Sequence, residues 1–516
     1  MEIWYIESIL SQKLPQPFED WLCEHVHKII LQSGVPVRPW FESKNIVRYS
    51  DSIPSEIELN GDFSYSLNLS NTLVEQRKLN REPICIFINN NNRALPYYLL
   101  QNLWCKNPAF NEVSIITIQN SVFTPHHDAS AFRFPEYWLK KKNQFSLDAS
   151  HFILTWDKTV RDTWQNKTDV LYIEADKDVQ LDLNHLHEKN MNNQNEKYPI
   201  SSSIPYLNKK DFVQKEGSLL SVIIPFYNMG SMILETIQSV IDSTYPEIEI
   251  IIVDDGSDEL ESKEILRKIE LSMPFIQIIT IKNGGLSNAR NVGAYASKGV
   301  FITFLDSDDL VAPEYYQRCI EILESYINVS FVYSWVRFFG LREDVWVTFD
   351  TEFPLLLLSN MLSAFAVIRK DHFLEYGINK VEMKKGMEDH ESWINMCENG
   401  CAGVSIPEAL VYYRIRGNSM SRQFNREIVN DLYYKISQFH KELYKRFGDE
   451  IFNLIYMNGP GYMWNNPAVS YPELGYLQDH EIDNNLKYEL MRIFNTKKGK
   501  WLIKLFIKLN LNKWFK

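Results

Sequence analysis

The chain has no run of about twenty consecutive apolar residues, so nothing in it reads as a membrane-spanning helix. Cysteine is scarce. Cys23, Cys85, Cys105, Cys319, Cys397 and Cys401 are scattered without metal-ligand or disulfide-framework spacing, the pattern of a reducing compartment. Cys397 and Cys401 are expected to share a helix face as packing residues. Positive charge is in deficit, with 54 Lys and Arg against 66 Asp and Glu and a net charge of −12. This balance, and the lack of a basic stripe interleaved with aromatics in the body, excludes a general nucleic-acid binder. The opening Met1-Glu-Ile-Trp-Tyr-Ile-Glu-Ser8 lacks a basic start and a small-residue cleavage site, which predicts a cytoplasmic protein. A Gly-x-Gly-x-x-Gly phosphate loop is also missing. With 516 residues, 45% of them hydrophobic, two to three domains are expected.

The most telling segment is Phe301-Ile-Thr-Phe-Leu-Asp-Ser-Asp-Asp-Leu310, an apolar run ending in acids. Asp306 and Asp308 offer hard oxygen ligands suited to Mg²⁺ or Mn²⁺, a metal that commonly serves a diphosphate. The alternative is a solvated acidic turn capping a helix that begins near Pro313. Upstream, Ser221-Val-Ile-Ile-Pro-Phe-Tyr-Asn228, the amphipathic Ile233–Ile241 and Ile248-Glu-Ile-Ile-Ile-Val-Asp-Asp-Gly-Ser257 read as strand, helix, strand. Short β-branched runs alternating with helical patterns predict a parallel sheet buried on both faces, with ligands beyond the carboxyl ends of its strands. Three successive strand ends carry Tyr227-Asn228, Asp254-Asp255 and Asp306-Ser307-Asp308, a repetition that packing alone does not explain.

These strings, with Asn283-Gly-Gly-Leu-Ser-Asn-Ala-Arg-Asn-Val-Gly293 and Gly386-Met-Glu-Asp-His-Glu-Ser-Trp393, resemble glycosyltransferase family 2, the inverting nucleotide-sugar transferases of GT-A fold, in the family's order over about residues 219–422. The resemblance implies an α/β GT-A domain with a mostly parallel Rossmann-like sheet. It also implies a UDP-sugar donor, a divalent metal at Asp306 and Asp308, and Asp389 as catalytic base. The chemistry of the residues agrees. Tyr227 can stack on uracil and Asp255 can accept its imide proton. Pro225, Asn228, Asn283, Ser307 and Arg416 complete the expected nucleotide-sugar site. Arg290 either reaches the diphosphate or pairs with an acid on the helix that follows Gly284-Gly285. The attacking hydroxyl needs a carboxylate base beside the anomeric carbon, the role given to Asp389. Glu388 faces elsewhere on the helix and is expected to position the acceptor or Asp389 itself. The closing segment Tyr412-Tyr-Arg-Ile-Arg-Gly-Asn-Ser-Met-Ser421 departs from the family's pattern, because Arg416 stands where many members have a metal-binding histidine. A guanidinium does not ligate a cation, so the metal either relies on aspartates and phosphates or yields the diphosphate to Arg416.

The remaining chain divides into an N-terminal α/β accessory domain over residues 1–187, a linker over 188–217, the transferase domain over 218–425, and a helical C-terminal region over 426–516. In the first domain, strand-like runs at Ile84–Ile88, Val113–Ile118, Phe152–Trp156 and Val170–Ile173 faintly resemble one Rossmann-like half of GT-B glycosyltransferases, suited to acceptor binding or assembly. His126-His127-Asp128 reads as a loop before it reads as a set of ligands. Beyond the first transferase strands, Phe331–Gly340 and Thr348–Leu358 are expected to complete the sheet, and Phe424–Phe447 to be helical. Asn458–Pro467 reads as a Gly/Pro-rich turn whose aromatics either cover the core, the preferred reading, or line a sugar site. Residues 497–516 hold seven lysines and no acid, with Lys497, Lys500, Lys504 and Lys508 on one helical stripe between apolar residues. That pattern reads as an interfacial anchor on the inner face of the cytoplasmic membrane, beside a glycan or lipid-linked oligosaccharide acceptor, or as a helix packed on the body. The leading reading is an inverting hexosyl- or N-acetylhexosaminyltransferase of bacterial surface polysaccharide synthesis. A sugar nucleotidyltransferase and a non-catalytic glycan-binding relative are the alternatives. The first would need a glycine- and arginine-rich loop in place of Pro225–Asn228, and the second would be expected to lose acids that are all present.

Overall fold

The computed structural model describes residues 1–7, 13–32, 35–49, 82–89, 112–120, 147–166, 169–193, 218–416 (save 342, 347 and 349) and 424–451, with isolated positions between 69 and 77 and at 99. The His126-His127-Asp128 string, the Asn458–Pro467 turn, the tail over 497–516 and residues 194–217 of the expected linker lie outside them.

Two sheets organise the chain. The first takes β1 (Glu2–Glu7), β2 (Lys28–Gln32), β3 (Asn45–Tyr49), β4 (Ile84–Ile88), β5 (Val113–Ile118), β6 (Phe152–Thr155) and β7 (Asp169–Tyr172) in the order β3-β2-β1-β4-β5-β6-β7, every pair parallel. This is the doubly wound order of a Rossmann-like unit, with its reversal between β1 and β4. Every residue of β4 and β5 is buried, as strands covered on both faces require. Helices α1 (Gln16–His25), α2 (Lys158–Trp164) and α3 (Leu183–Asn193) accompany it. Because α3 runs to Asn193, the expected linker loses its first six residues to a helix.

The second sheet is built from β8 (Leu220–Phe226), β9 (Ile248–Asp254), β10 (Gln277–Thr280), β11 (Phe301–Phe304), β12 (Leu310–Val311), β13 (Phe331–Gly340), β14 (Asp344–Trp346), β15 (Val367–Arg369) and β16 (Gly403–Ile415). Its order is β10-β9-β8-β11-β15-β13-β16-β12, with β14 on β13. The β10-β9-β8-β11 half is parallel, and β15 runs antiparallel to both β11 and β13. Helix α4 (Met232–Ile241) buries Ile233, Thr236, Ile237 and Val240, the stripe its periodicity predicts. Helices α5 (Leu260–Ser272), α6 (Leu286–Ala296) and α7 (Tyr315–Ser325) follow the next strands. Two expectations change here. Among the described residues of Thr348–Leu358 none extends the sheet; Leu355–Leu358 is a short helix, an outcome that a brief apolar run leaves open. Cys401 lies beyond the end of α8 (Glu388–Glu398), so it shares no helix face with Cys397, though both are buried.

Downstream, α9 (Arg426–Phe439) and α10 (Lys441–Arg446) fall inside the expected helical stretch. Their buried Leu432, Ile436 and Leu443 join the transferase core.

Candidate active site

The site lies at the carboxyl edge of β8, β9 and β11. Paired register sets Phe226 opposite Asp254, and the Asp255 amide donates to the Phe226 carbonyl at 2.9 Å. Tyr227 and Asp255 therefore leave adjacent strands side by side. Tyr227 is 45% exposed, an aromatic ring offered to solvent at a strand end. Asp255 is buried and accepts the amides of Gly284 and Gly285, each at 2.8 Å, one on each oxygen. It thus ties the β9 turn to the loop before α6, where Asn283 is exposed. Gly256 has φ +74°, and a Cβ there would come within 2.8 Å of the Asn283 amide, so this turn requires glycine. The Asn228 side chain is engaged in the loop itself. Its Oδ1 accepts the amides of Asp258 and Glu259 at 3.1 and 3.2 Å, and its Nδ2 donates to Asp258 Oδ1 at 2.6 Å. It fixes the entry to α5, while Pro225 is buried within β8.

Helix α6 comes close to the sheet through Gly293, where a Cβ would stand 2.3 Å from Ile223 Cγ2. One turn earlier on the same face, Arg290 enters the site almost fully buried. Its guanidinium donates to Asp306 Oδ1 at 2.8 Å and Glu388 Oε1 at 2.6 Å, with no partner at its buried Nε. The acids it pairs with stand beyond β11 and at the start of α8, not on α6 as one expectation had it. The acid of the strand-end motif and that of the Glu388-Asp389 motif are thereby joined through one side chain. Burial pushes the Glu388 carboxyl up to about 7, outweighing the lowering by Arg290. Glu388 is buried and holds the Arg290 guanidinium directly.

Asp389 is half-buried, and its Oδ2 accepts from Asn360 Nδ2 at 2.9 Å. Asn360 is a site residue that sequence reasoning missed, since a lone Asn after an apolar run carries no signal. Helix α8 is seated by Trp393, whose ring stacks on Phe331 of β13 with centroids 4.9 Å apart, an arrangement worth about 1 kcal/mol beyond burial.

The acidic turn after β11 leads straight into β12, which pairs antiparallel with β16 and brings two arginines to the aspartates. Arg416 Nε lies 2.6 Å from Asp308 Oδ2. Arg414, also missed, donates through Nε to the Asp308 carbonyl at 2.8 Å and through its amide to Asp309 Oδ1 at 2.6 Å, and it reaches Glu235 at 2.6 Å. Burial and Asp306 raise the Asp308 carboxyl, with Arg416 opposing. Burial, Asp308 and Asp306 raise Asp309 well above the carboxylate range. Ser307 is buried between them. Among the described residues no group of three or more His, Cys, Asp or Glu forms a self-sufficient metal centre. Two neighbouring carboxylates of hard oxygen character fit a divalent cation that takes the rest of its shell from phosphate and water.

A sequence model described as Glycosyl transferase family 2 matches residues 221–372. The chain is 30% identical over 216 residues to the Escherichia coli UDP-Glc:alpha-D-GlcNAc-diphosphoundecaprenol beta-1,3-glucosyltransferase WfaP, covering 41% of this chain and 83% of that one. It is 28% identical over 212 residues to the Bacillus subtilis putative teichuronic acid biosynthesis glycosyltransferase TuaG, covering 39% and 81%. Among solved structures, S. aureus TarS 1-349 in complex with UDP-GlcNAc aligns at 21% identity and a TM-score of 0.35, over 43% of this chain and 65% of that one. No helix among the described residues is long and apolar enough to cross a membrane. From its motifs, its mixed sheet, the family match and the likeness to WfaP, the chain belongs to glycosyltransferase family 2 and is a glycosyltransferase of GT-A fold.

Proposed function

We propose that the enzyme transfers a sugar from a UDP-sugar to a hydroxyl of a glycan, carried on a lipid diphosphate at the inner face of the cytoplasmic membrane, with inversion at the anomeric carbon. The observation that supports this reading is the bridge through Arg290, which joins Asp306 to Glu388, the neighbour of the proposed base Asp389. The activity for which WfaP is named supports the donor and acceptor class, and the chain covers 83% of that protein's length.

Tyr227 stacks on the uracil, and Asp255, oriented by two backbone amides, accepts the imide proton. Asp389, turned by Asn360, takes the proton of the acceptor hydroxyl as it attacks the anomeric carbon from the face opposite UDP. Arg290 holds Asp306 and Glu388 so that neither drifts during the displacement. Asp306 and Asp308 would hold a divalent cation, Mn²⁺ or Mg²⁺, which when bound neutralises charge on the diphosphate as a Lewis acid. Arg416, already on Asp308, adds a guanidinium toward the same oxygens.

The test is UDP release from a panel of UDP-sugars with Mn²⁺, Mg²⁺ or EDTA. Asp389→Asn is expected to lose about 10²- to 10⁴-fold in turnover with UDP binding retained, and Asp308→Ala to lose the metal response. Release undiminished in Asp389→Asn removes the base assignment. A panel with neither turnover nor binding removes the UDP donor.

A further inference from the structure

The family match ends at residue 372, yet Asp389 sits on α8 beyond it, and α8 is held from behind by elements further downstream. His440, at the junction of α9 and α10 with its side chain 3% exposed, reaches two carboxylates on that helix. Its Nδ1 lies 2.6 Å from Glu398 Oε2, and its Nε2 lies 3.2 Å from Glu391 Oε1. Glu391 and Glu398 are seven residues apart and share one face of α8. Asp389 is two residues before Glu391, so it projects from the other side, toward the donor. The same pair of helices also holds the segment bearing Asn360. Tyr433 and Tyr444 donate to the carbonyls of Leu358 and Leu357 at 2.8 and 2.7 Å. The base and the residue that turns it are thus both anchored to α9 and α10.

An imidazole with a carboxylate oxygen at each nitrogen needs an N–H on both, which only the imidazolium supplies. In the neutral ring one nitrogen lone pair would face a carboxylate lone pair across a contact in which the imidazole itself is only 3% exposed. We propose that His440, as an imidazolium clamped between Glu391 and Glu398, is a positioning residue that sets helix α8 and hence Asp389 for catalysis. The inference rests on the reading of Asp389 as base.

The charges facing His440 are Glu391 and Glu398 of α8. His390 on the same helix turns to the Leu356 carbonyl at 2.6 Å, and burial lowers its pKa so that it stays neutral. The junction itself adds only Lys441 and Glu442, both exposed. Burial alone would lower the His440 pKa, but the bonds to the two glutamates outweigh it and raise it. A histidine raised above its unfolded value gives stability that is full below the unfolded pKa, about 6.5, and is lost as pH rises through the folded one.

The experiment measures kcat and donor KM for UDP release, and thermal melting, from about pH 6 to about pH 9 in the full chain and in His440→Gln. The wild type is expected to lose kcat and melting temperature together on the alkaline side. His440→Gln should lack that limb, with kcat at neutral pH reduced about tenfold and donor KM unchanged. A folded His440→Gln with wild-type kcat and wild-type pH profile overturns the proposal. If that variant does not fold, Glu398→Gln removes the contact whose carboxylate is 32% exposed; it is expected to weaken the alkaline limb, and an unaltered limb overturns the proposal equally. A wild type that turns over no UDP-sugar instead marks failure of the donor reading.

Discussion

Replacing Arg290 by methionine removes the one positive charge shared by Asp306 and Glu388. The Glu388 side chain is 6% exposed and that of Asp306 is 29% exposed, so the burden falls on Glu388, which water does not reach. Breaking a buried pair by deleting one partner costs about 3–5 kcal/mol once the stranded partner is ionised, which for Glu388 means above about pH 7. For a domain of this size that lowers the melting temperature by roughly 10 °C. On the proposed reading, the transition to follow is the one that UDP shifts upward, since a ligand stabilises the unit that binds it. The loss should also depend on pH in a definite sense. In the wild type, burial already places the Glu388 carboxyl at about 7. Without Arg290 it rises further, so the folded variant keeps a proton that the unfolded chain releases, and stability falls as pH rises, by at most about 1.4 kcal/mol per unit. The gap between wild type and Arg290→Met is therefore nearly flat below pH 7 and opens above it. Arg290→Met/Glu388→Gln, which removes the stranded charge, is expected to recover most of the loss and to close the alkaline gap. An Arg290→Met protein that melts with the wild type, or a deficit that does not change with pH, would refute the argument that this guanidinium compensates a buried carboxylate.

Gly293→Ala places a Cβ 2.3 Å from Ile223 Cγ2, so α6 must move off the sheet; a cost of about 1–3 kcal/mol is expected from overpacking, read by thermal melting. Because Arg290 rides on the same helix, turnover should fall with it. On the proposed reading, Tyr227→Ala removes the exposed ring that takes the uracil and weakens UDP binding roughly fivefold by calorimetry, about 1 kcal/mol, without changing stability; unaltered UDP affinity would remove Tyr227 from the site.

What could be read in advance was what lies close along the chain. The strands β8, β9 and β11 are dense in β-branched or aromatic residues and end in polar clusters, so both element and edge were evident. The strands β1, β2 and β3 were passed over because their apolar runs are short; Ile3-Trp4-Tyr5-Ile6 holds only four residues between two glutamates. Helix Leu355–Leu358 was mistaken for part of a strand for the converse reason, an apolar run too brief to show a period. The identity of the site acids was legible, but their partners were not. Arg290 meets Glu388 across 98 positions of sequence and His440 meets Glu391 across 49, distances at which no pattern in a single sequence marks a pair. Arg414 lay two residues from the arginine singled out and was missed because its role depends on β12 pairing with β16.

The entry to α8 shows how these long-range contacts serve the short-range motif. The chain enters the helix through Gly386 at φ +117° and Met387 at φ +60°, and a left-handed conformation at a non-glycine residue costs about 1–2 kcal/mol. Such a conformation persists only where the surroundings over-determine it. Here they do so from three directions: Arg290 fixes Glu388, Asn360 fixes Asp389, and His440 holds Glu391 from the rear. The three contacted residues lie within four positions at the start of the helix, and each partner comes from a different element. A helix whose first turn is restrained on all sides cannot fray freely, so the position of Asp389 is set by the fold before any ligand arrives, as the base role proposed for it demands.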